Sequence, residues 1–223
     1  MVIKIKYQWM RLLSKTFKTY FESGVVSREL LQRAEEDFYS QPKVRRNGFE
    51  QTNSIGVIPD ITNLVQKITG LKIKYKSGNY YEHTIPYLPH TDYNHFYDNS
   101  INVVIPIRFT GEKPYFIIFD QIWPNNSCCW MMNQSDPVDF SRTMLGVKGW
   151  PGEYPILNKT NKDIDDELYK HLKRFPKYTL TNMSGKAYPF DPGNIMIFDN
   201  RKIHATGGGN WKKLGISLRF KME

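Results

Sequence analysis

The sequence predicts a mainly β protein in which helices precede a β-sandwich or a double-stranded barrel. Residues 1–70 carry apolar residues at helical spacing, whereas the pattern after Gly70 changes to short β-rich runs. Gly, Pro, Asn and Asp separate these runs, as is typical of an all-β architecture. There is no internal repeat and no low-complexity linker, so we expect a single domain over residues 1–223.

Three stretches of this first region have the spacing of amphipathic helices. The first spans residues 7–17, where apolar side chains recur at helical intervals. In the second, Ser27 is placed to cap a helix over Arg28–Tyr39. The third, Pro59–Ile68, is followed by Gly70, which is typical of a helix end. We expect all three helices to pack on the β core as a supporting layer.

The β-rich runs fall into two blocks, residues 71–123 and 178–223. The predicted strands are Leu71–Lys76, Tyr80–Leu88, Ile101–Phe109, Tyr115–Trp123, Tyr178–Asn182, Lys186–Pro189, Asn194–Phe198, Lys202–Thr206 and Leu214–Met222. Residues 124–177 separate the blocks and are rich in Pro, Gly, Asn and Trp, with a helical pattern over Lys162–Arg174. We expect this insertion to lie over the mouth of the barrel, where loops carry specificity.

The composition limits the class of protein and of partner. The chain has 31 Lys and Arg against 22 Asp and Glu, so its net charge is +9. A basic surface admits an anionic partner such as a nucleic acid. However, the sequence shows no zinc-finger spacing, no helix-turn-helix signature and no Gly-rich nucleotide loop. A nucleic-acid partner therefore stays possible without being favoured.

The same composition bears on the compartment. A hydrophobic share of 40% and an aromatic share of 14% argue against a disordered chain. No apolar run approaches the ~18 residues of a membrane span, and the N-terminal residues lack a signal-peptide pattern. The two cysteines, Cys128 and Cys129, are adjacent and cannot staple a fold. We therefore expect a cytoplasmic protein with no membrane partner.

Three residues have the pattern of a metal site. His90 and Asp92 are two residues apart at the end of a predicted strand, so their side chains point to the same face. His204 lies in a strand setting near the C-terminus. Two histidines and one carboxylate form the facial triad of non-haem Fe(II) oxygenases, which leaves coordination positions open. Each residue alone is more often structural; together, His90, Asp92 and His204 are the predicted metal ligands and catalytic residues.

The order of these motifs resembles that of the Fe(II)/2-oxoglutarate-dependent oxygenases. The resemblance rests on His90-x-Asp92, on His204 after the run Pro192–Asp199, and on basic residues in the last strand. It covers residues 73–220. It implies a double-stranded β-helix, a cupin-like jelly roll with N-terminal supporting helices. It also implies Fe(II), 2-oxoglutarate as cosubstrate and O₂, with hydroxylation of an unactivated C–H bond and release of succinate and CO₂.

The resemblance also implies a cation for the C5 carboxylate of 2-oxoglutarate. Lys213 lies nine residues after the distal histidine, a spacing that prolyl-hydroxylase-like members use, and Ser217 then resembles their hydroxyl partner. Arg219 lies fifteen residues after that histidine, near the spacing of taurine-dioxygenase-like members. Both cations stay candidates. Asn102 and Tyr81 are further candidates for the cosubstrate pocket.

The substrate and two rival functions stay open. We expect a small-molecule or amino-acid-like substrate first, and a peptidyl or nucleobase hydroxylase as the alternative. Because the related halogenases replace the carboxylate ligand by a small residue, Asp92 favours hydroxylation. A cupin-like isomerase would normally show a further His or Glu between the two motifs and need no C-terminal cation. A binding module without catalysis is the other rival, and binding of Fe(II) and 2-oxoglutarate separates the three.

Overall fold

A computed structural model describes most of the chain outside its N-terminus and the insertion. The described ranges are residues 17–46, 49–87, 89–91, 99–122, 160–175, 177–180 and 182–223. The helix predicted over residues 7–17 therefore lies, except for Phe17, outside the described residues, and so do residues 124–159 of the predicted insertion.

Ten strands and a few helices make up the described residues. The helices are α1 (Arg28–Ser40), α2 (Ile58–Thr69), the single-turn α3 (Asp166–Tyr169) and a 3₁₀ helix (Lys177–Leu180). The strands are β1 (Tyr20–Glu22), β2 (Val44–Arg46), β3 (Phe49–Thr52), β4 (Ile73–His83), β5 (Ser100–Gly111), β6 (Tyr115–Ile122), β7 (Gly185–Pro189), β8 (Ile195–Asp199), β9 (Lys202–Thr206) and β10 (Trp211–Met222).

The strands form two antiparallel sheets. The major sheet has the order β1-β8-β5-β10-β4-β3-β2, and the minor sheet has the order β7-β6-β9. The long strand β10 pairs with β4 on one side and with β5 on the other. Two facing antiparallel sheets with crossed connections are a jelly roll, so the predicted double-stranded β-helix fold is confirmed.

The two faces of the major sheet contact different layers. One face packs against α1 and α2, and we call it the helix face; β10 contributes Leu214, Ile216, Leu218 and Phe220 to it. The other face, the interior face, turns towards the minor sheet. There, Tyr81, Val104, Met196 and Phe198 of the major sheet pack against Phe116, Ile118, Tyr188 and Phe190. The interior between the sheets is the space in which a jelly roll holds a ligand.

Two of the predicted helices are confirmed together with their ends. Ser27 Oγ accepts a hydrogen bond from the backbone N–H of Leu30 at 3.2 Å, which caps α1. Gly70 ends α2 in the left-handed conformation, with φ +70°. A residue with a Cβ is disfavoured in this conformation, so glycine suits the position.

The structure corrects the prediction that the first region is helical throughout. Its described part also contains the short strands β1, β2 and β3. These strands lie at the two edges of the major sheet, where β1 pairs with β8 and β3 pairs with β4. They are three or four residues long, so their conformation follows from the neighbouring strand more than from local sequence.

Three strand predictions are also corrected. Ile73–His83 is one strand, β4, which joins parts of the strands predicted over Leu71–Lys76 and Tyr80–Leu88, because β10 pairs with it along its whole length and Leu218 packs over Gly78. The strand predicted over Tyr178–Asn182 is wrong: Lys177–Leu180 is a 3₁₀ helix. Leu180 and Met183 are both buried, and their spacing of three suits a turn rather than an alternating strand.

The described end of the insertion lies away from the predicted position over the barrel mouth. Ile164, Leu168 and Leu172 pack against Ile117 and Phe119, on the outer face of the minor sheet. The helical pattern predicted over Lys162–Arg174 corresponds to α3 and the turns that follow it. In the described part of the chain, no helix has the length and apolar character that a membrane span requires.

Candidate metal and cosubstrate site

His90 and His204 lie side by side, as the predicted metal site requires. The backbone N–H of His90 donates to the carbonyl of His204 at 2.9 Å, and the N–H of His204 donates to the carbonyl of His90 at 2.8 Å. This bridge adds the chain at His90 to the edge of the minor sheet, next to β9. The centroids of the two imidazole rings are 4.3 Å apart, so both rings share one region of space.

The hydrogen bond of His204 fixes which of its ring nitrogens can be a metal ligand. Its Nδ1 lies 3.1 Å from the carbonyl oxygen of Lys202, so Nδ1–H is the donor in this pair. The lone pair is then on Nε2, which is the usual arrangement for a histidine ligand whose other nitrogen is fixed by a backbone carbonyl. Phe116 and Phe198 hold the ring from two sides, with centroid distances of 5.5 Å and 5.1 Å.

The third predicted ligand, Asp92, lies outside the described residues. Within the described ranges, no group of three His, Cys, Asp or Glu side chains is placed to hold a metal ion. The structure therefore brings together two of the three predicted ligands and leaves Asp92 as a prediction.

Lys213 lies deep inside the molecule. Its side chain is on the interior face of β10 and is 1% exposed. The ammonium nitrogen Nζ lies 4.2 Å from the ring centroid of Phe190 and 5.2 Å from that of Trp211, with Phe116 and Tyr81 at about 6 Å. Burial alone holds the pKa of Lys213 well below its usual range. No carboxylate of the described residues lies within salt-bridge distance of Nζ, so aromatic rings rather than an anion surround this group.

A residue that the sequence analysis did not single out is the hydrogen-bond partner of this lysine. Lys213 Nζ donates to Thr206 Oγ1 at 3.2 Å. Thr206 lies two residues after His204 in β9, and residues two apart in a strand share a face. The histidine pair and the residue that contacts Lys213 are therefore only two residues apart along β9. That spacing was the available signal, because a hydroxyl at this position points into the same interior as the distal histidine.

A second missed residue, His83, is buried beside Lys213. The two residues are paired across β4 and β10, and His83 is 2% exposed. Its Nδ1 donates to the carbonyl of Ile85 at 2.6 Å. Burial, and secondly the charge of Lys213, hold the pKa of His83 well below its usual range, so the ring is neutral. The rings of Tyr81, Tyr87 and Trp211 surround it at centroid distances of 4.8 to 5.4 Å.

Tyr81 reaches the centre of the interior across a glycine. A Cβ on Gly215 would lie 2.8 Å from Tyr81 Oη and 2.9 Å from Cζ of Phe190. Both distances are shorter than ordinary van der Waals contacts, so only glycine leaves these two rings in place. The absence of a side chain at Gly215 lets Tyr81 and Phe190 approach the strand next to Lys213.

The other three predicted cosubstrate residues lie further along the same wall. Ser217 is half-buried, four residues beyond Lys213 on the interior face of β10. Arg219 is half-buried too, and its Nη1 lies 3.5 Å from Ser77 Oγ. Asn102 of β5 is fully buried and is the register partner of Arg219. All three line the interior, but the hydroxyl that contacts Lys213 belongs to Thr206.

Comparisons with known proteins bear on the fold. No protein-family model and no curated protein matches this chain. Among solved structures, the epimerase SnoN in complex with Fe3+, alpha ketoglutarate and nogalamycin RO is 10% identical, with a TM-score of 0.53 over 99% of this chain and 84% of SnoN. The alpha ketoglutarate dependent carbocyclase SnoK is 11% identical, with a TM-score of 0.52 over 91% of this chain and 79% of SnoK.

A third solved structure has the same architecture. HygX from Streptomyces hygroscopicus, with nickel, 2-oxoglutarate and hygromycin B bound, is 9% identical, with a TM-score of 0.50 over 96% of this chain and 86% of HygX. Likeness at such low identity shows the fold alone. This chain therefore has the jelly-roll fold of non-haem, 2-oxoglutarate-dependent enzymes.

Proposed function

We propose that this protein is an Fe(II)- and 2-oxoglutarate-dependent oxygenase that hydroxylates a C–H bond of a small molecule and releases succinate and CO₂. The observation that carries the proposal is the placement of a buried lysine and a histidine pair in one interior. Lys213 has a neutral hydroxyl partner and no carboxylate partner among the described residues. Such a cation is suited to bind the carboxylate of a ligand.

The donor set fits Fe(II). His90 and His204 present two imidazoles from bridged segments of the chain, and Nε2 is the ring nitrogen of His204 that carries the lone pair. Asp92, two residues after His90, supplies the carboxylate of the set. Two imidazoles and one carboxylate are the ligands of non-haem Fe(II) oxygenases. Bound Fe(II) supplies the redox chemistry that couples oxidation of 2-oxoglutarate by O₂ to oxidation of the substrate.

Lys213 rather than Arg219 binds the C5 carboxylate of 2-oxoglutarate in this proposal. Its ammonium is next to Thr206, whose hydroxyl lies on the same strand face as the metal-binding ring of His204. A lysine and a hydroxyl give the carboxylate one charge-assisted hydrogen bond and one neutral one. Tyr81 lies over the same space, across Gly215.

The walls around this site exclude water. Phe116 lies between the two halves of the site: its ring centroid is 5.5 Å from that of His204 and 5.9 Å from Nζ of Lys213. Phe190 and Phe198 are fully buried beside it. Apolar walls strengthen the attraction between the lysine and a bound carboxylate, because the local dielectric constant is low.

Comparison with the solved structures supports a small-molecule substrate. SnoN was crystallised with nogalamycin RO and HygX with hygromycin B. SnoN is an epimerase and SnoK a carbocyclase, so the fold also serves outcomes other than hydroxylation. Hydroxylation is the outcome we propose for this chain, and identification of the product tests it separately from the use of 2-oxoglutarate.

The test is an anaerobic titration with Fe(II) and 2-oxoglutarate, followed by the visible charge-transfer absorption of the chelate. We expect the band with the unmodified protein and its loss in His204→Ala. The matched control is His171→Ala, because His171 packs on Tyr115 at a centroid distance of 4.0 Å, outside the proposed site. This control variant is expected to keep the band.

Three results would contradict the proposal in different ways. A band that persists in His204→Ala would remove this histidine from the metal site. Metal binding without any band would favour a cupin-like enzyme that does not use 2-oxoglutarate. A protein that binds no metal would favour a binding module. If the band forms, release of succinate in the presence of candidate substrates then identifies the substrate class.

A further inference from the structure

Two lysines face each other on neighbouring strands at the exposed end of the interior wall. Lys74 of β4 and Lys221 of β10 are register partners, and both side chains are exposed. They lie on the interior side of the major sheet, because the residues next to them in sequence, Ile73 and Phe220, pack on the helix face. The Cβ atoms of directly paired residues are about 5 Å apart, so the two lysine side chains are immediate neighbours.

The described residues do not compensate the charges of this lysine pair. Like charges directly opposite each other in an antiparallel pair are destabilising, and no carboxylate within the described ranges forms an ion pair with either lysine. Glu223, two residues after Lys221, is exposed and contacts this region through its backbone N–H, which donates to the carbonyl of Lys72 at 2.9 Å. Lys72 is exposed too and adds a third positive charge. An anion bound between the two lysines would replace their repulsion by attraction.

A buried hydroxyl extends the lysine pair into a row. Lys221 is also the register partner of Ser100 in β5, so Lys74, Lys221 and Ser100 lie side by side across three strands. Ser100 is 2% exposed, and its Oγ has no hydrogen-bond partner in the part of the chain that the structure describes. Asn200 donates its backbone N–H to the carbonyl of Ser100 at 3.3 Å, and both polar atoms of its buried carboxamide also lack partners among the described residues. Buried polar groups of this kind are suited to bind a ligand.

The length of β10 separates this row from the cosubstrate. Lys221 lies eight residues beyond Lys213, and at ~3.3 Å per residue their Cα atoms are about 26 Å apart. 2-Oxoglutarate is a short acid, and both of its ends are occupied when one carboxylate is at Lys213 and the other at the metal. It does not extend to Lys221, so the row needs a different anion.

The row lies just outside the level of the histidine pair. Two residues before Lys221, Arg219 is the register partner of Asn102. Asn102 in turn pairs with Phe198 in β8, and the ring of Phe198 is 5.1 Å from that of His204. Two residues of a strand span ~6.6 Å, so the row is one step further out along the wall. A small molecule bound to the row can therefore place another of its carbons in front of the histidines.

We propose that Lys74, Lys221 and Ser100 bind the phosphate group of a phosphorylated small-molecule substrate. This inference rests on the proposed function, because it takes the interior as the place where the substrate is oxidised. A phosphate monoester carries a charge of about −1.5 to −2 at pH 7 and three acceptor oxygens. Two ammonium groups match this charge, and the hydroxyl supplies a third donor. A carboxylate has a single charge and would match the row less well.

The test measures binding without turnover. The protein is loaded with Zn(II) and saturating 2-oxoglutarate, and binding of phenyl phosphate and of benzoate is followed by NMR. We expect phenyl phosphate to bind more tightly than benzoate. Lys74→Gln should weaken its binding about 3- to 10-fold, and Lys74→Glu should abolish it, because the new carboxylate pairs with Lys221 and repels phosphate. The matched control is Lys173→Gln, which loses the same charge beside Leu172, on the outer side of the minor sheet, and should bind normally.

Thermal unfolding distinguishes a ligand site from a structural role. Without phenyl phosphate, Lys74→Gln removes a repulsion and Ser100→Ala removes a hydroxyl that has no partner in the described structure. Neither variant should therefore melt at a lower temperature than the unmodified protein. Ser100→Ala should nevertheless bind phenyl phosphate about 2- to 10-fold more weakly, as for a lost neutral hydrogen bond. Lower melting temperatures with unchanged affinity would mean that the row is structural.

Further results would overturn the inference while leaving the proposed function intact. Benzoate that binds as tightly as phenyl phosphate, or equal losses in Lys74→Gln and Lys173→Gln, would show that the row does not select phosphate. A single-stranded oligonucleotide that binds more tightly than phenyl phosphate, and does so through Lys74, would assign the row to a polynucleotide instead. Loss of the Fe(II)–2-oxoglutarate absorption band in Lys74→Gln would assign it to the cosubstrate. Absence of the band in the unmodified protein would overturn the proposed function itself.

Discussion

The two faces of β10 have opposite chemistry although their residues alternate along one strand. Leu214, Ile216, Leu218 and Phe220 are apolar, are at most 1% exposed and pack against the helices. The alternate positions are Lys213, Gly215, Ser217 and Arg219, which turn to the interior. One strand therefore serves the core with one face and the candidate site with the other. Because the side-chain period is two, stability and ligand binding can be changed separately at neighbouring residues.

The largest effect on stability is expected on the helix face. Leu218→Ala removes a buried side chain that packs over Gly78 in the neighbouring strand. We expect a loss of about 2–5 kcal/mol in the free energy of unfolding, from lost apolar burial and the cavity left behind. Urea denaturation measures it, with Lys221→Ala, an exposed residue of the same strand, as the control. If Leu218→Ala binds 2-oxoglutarate far more weakly than the Lys221→Ala control does, the two faces are not independent.

On the interior face, the expected loss is in binding rather than in stability. Lys213→Met keeps an apolar stem among the surrounding rings and removes a buried charge, so the free energy of unfolding should stay equal or rise. The affinity for 2-oxoglutarate should fall about 10- to 100-fold, as a charge-assisted hydrogen bond is worth about 1.5–3 kcal/mol. The absorption of the Fe(II) chelate, measured over a range of 2-oxoglutarate concentrations, gives the affinity.

Lys212→Met is the matched control for that prediction. Lys212 is the preceding residue, but its side chain turns to the other face, where Nζ lies 2.8 Å from a carboxylate oxygen of Glu82. The Lys212→Met variant loses the same charge from the same strand and should leave 2-oxoglutarate binding unchanged. Equal losses in both variants would mean that overall charge, rather than the buried ammonium of Lys213, attracts the cosubstrate.

A smaller effect is expected where the interior face has no side chain. Gly215→Ala places a Cβ 2.8 Å from Tyr81 Oη and 2.9 Å from Phe190 Cζ, so both rings must shift. Overpacking of this kind costs about 1–3 kcal/mol of stability. Gly208→Ala is the control, because the nearest atom to its Cβ is 4.0 Å away. Thermal unfolding compares the stabilities of the two variants. Equal melting temperatures would show that the interior accommodates the added methyl group.

The spacing of apolar residues along the sequence explains how much of this architecture could be predicted. Alternating or continuous apolar runs located the long strands, and Ser27 and Gly70 marked a helix start and a helix end. The pairing of His90 with His204 followed from motif order, since the two lie far apart in sequence. The fold was therefore predictable where many residues share one pattern.

Features that depend on a neighbouring strand could not be predicted in the same way. β1 and β3 are extended because they pair with β8 and β4, and their own few residues do not specify a strand. His83 joins the site through its pairing with Lys213 across strands, which no local pattern predicts, whereas the sequence signal for Thr206 is its position two residues after His204. The role of Asp92 stays a prediction from motif order.

The smallest expected effect concerns pH and tests whether the interior next to Lys213 is as dry as its packing indicates. His83 faces Lys213 and Trp211 on β10, Phe49 on β3, Tyr81 on its own strand and Tyr87 in the following loop. Lys213 is the only cation in this set. Burial first, and its charge second, keep the pKa of His83 well below the ordinary value.

The sign of the pH effect follows from proton binding. Below about pH 6.5 the unfolded chain protonates His83 while the folded protein does not, so the free energy of unfolding falls as the pH is lowered. Between pH 6.5 and 5.5 we expect His83 to contribute a loss of about 1 kcal/mol. His83→Asn cannot ionise and retains a side-chain N–H for the carbonyl of Ile85. Urea denaturation of both proteins at each pH gives their free energies of unfolding. The difference between the slopes of these free energies against pH isolates the contribution of His83. Identical slopes would mean that water reaches His83 and that the interior beside Lys213 is wet, which would also weaken the expected preference of that lysine for a carboxylate.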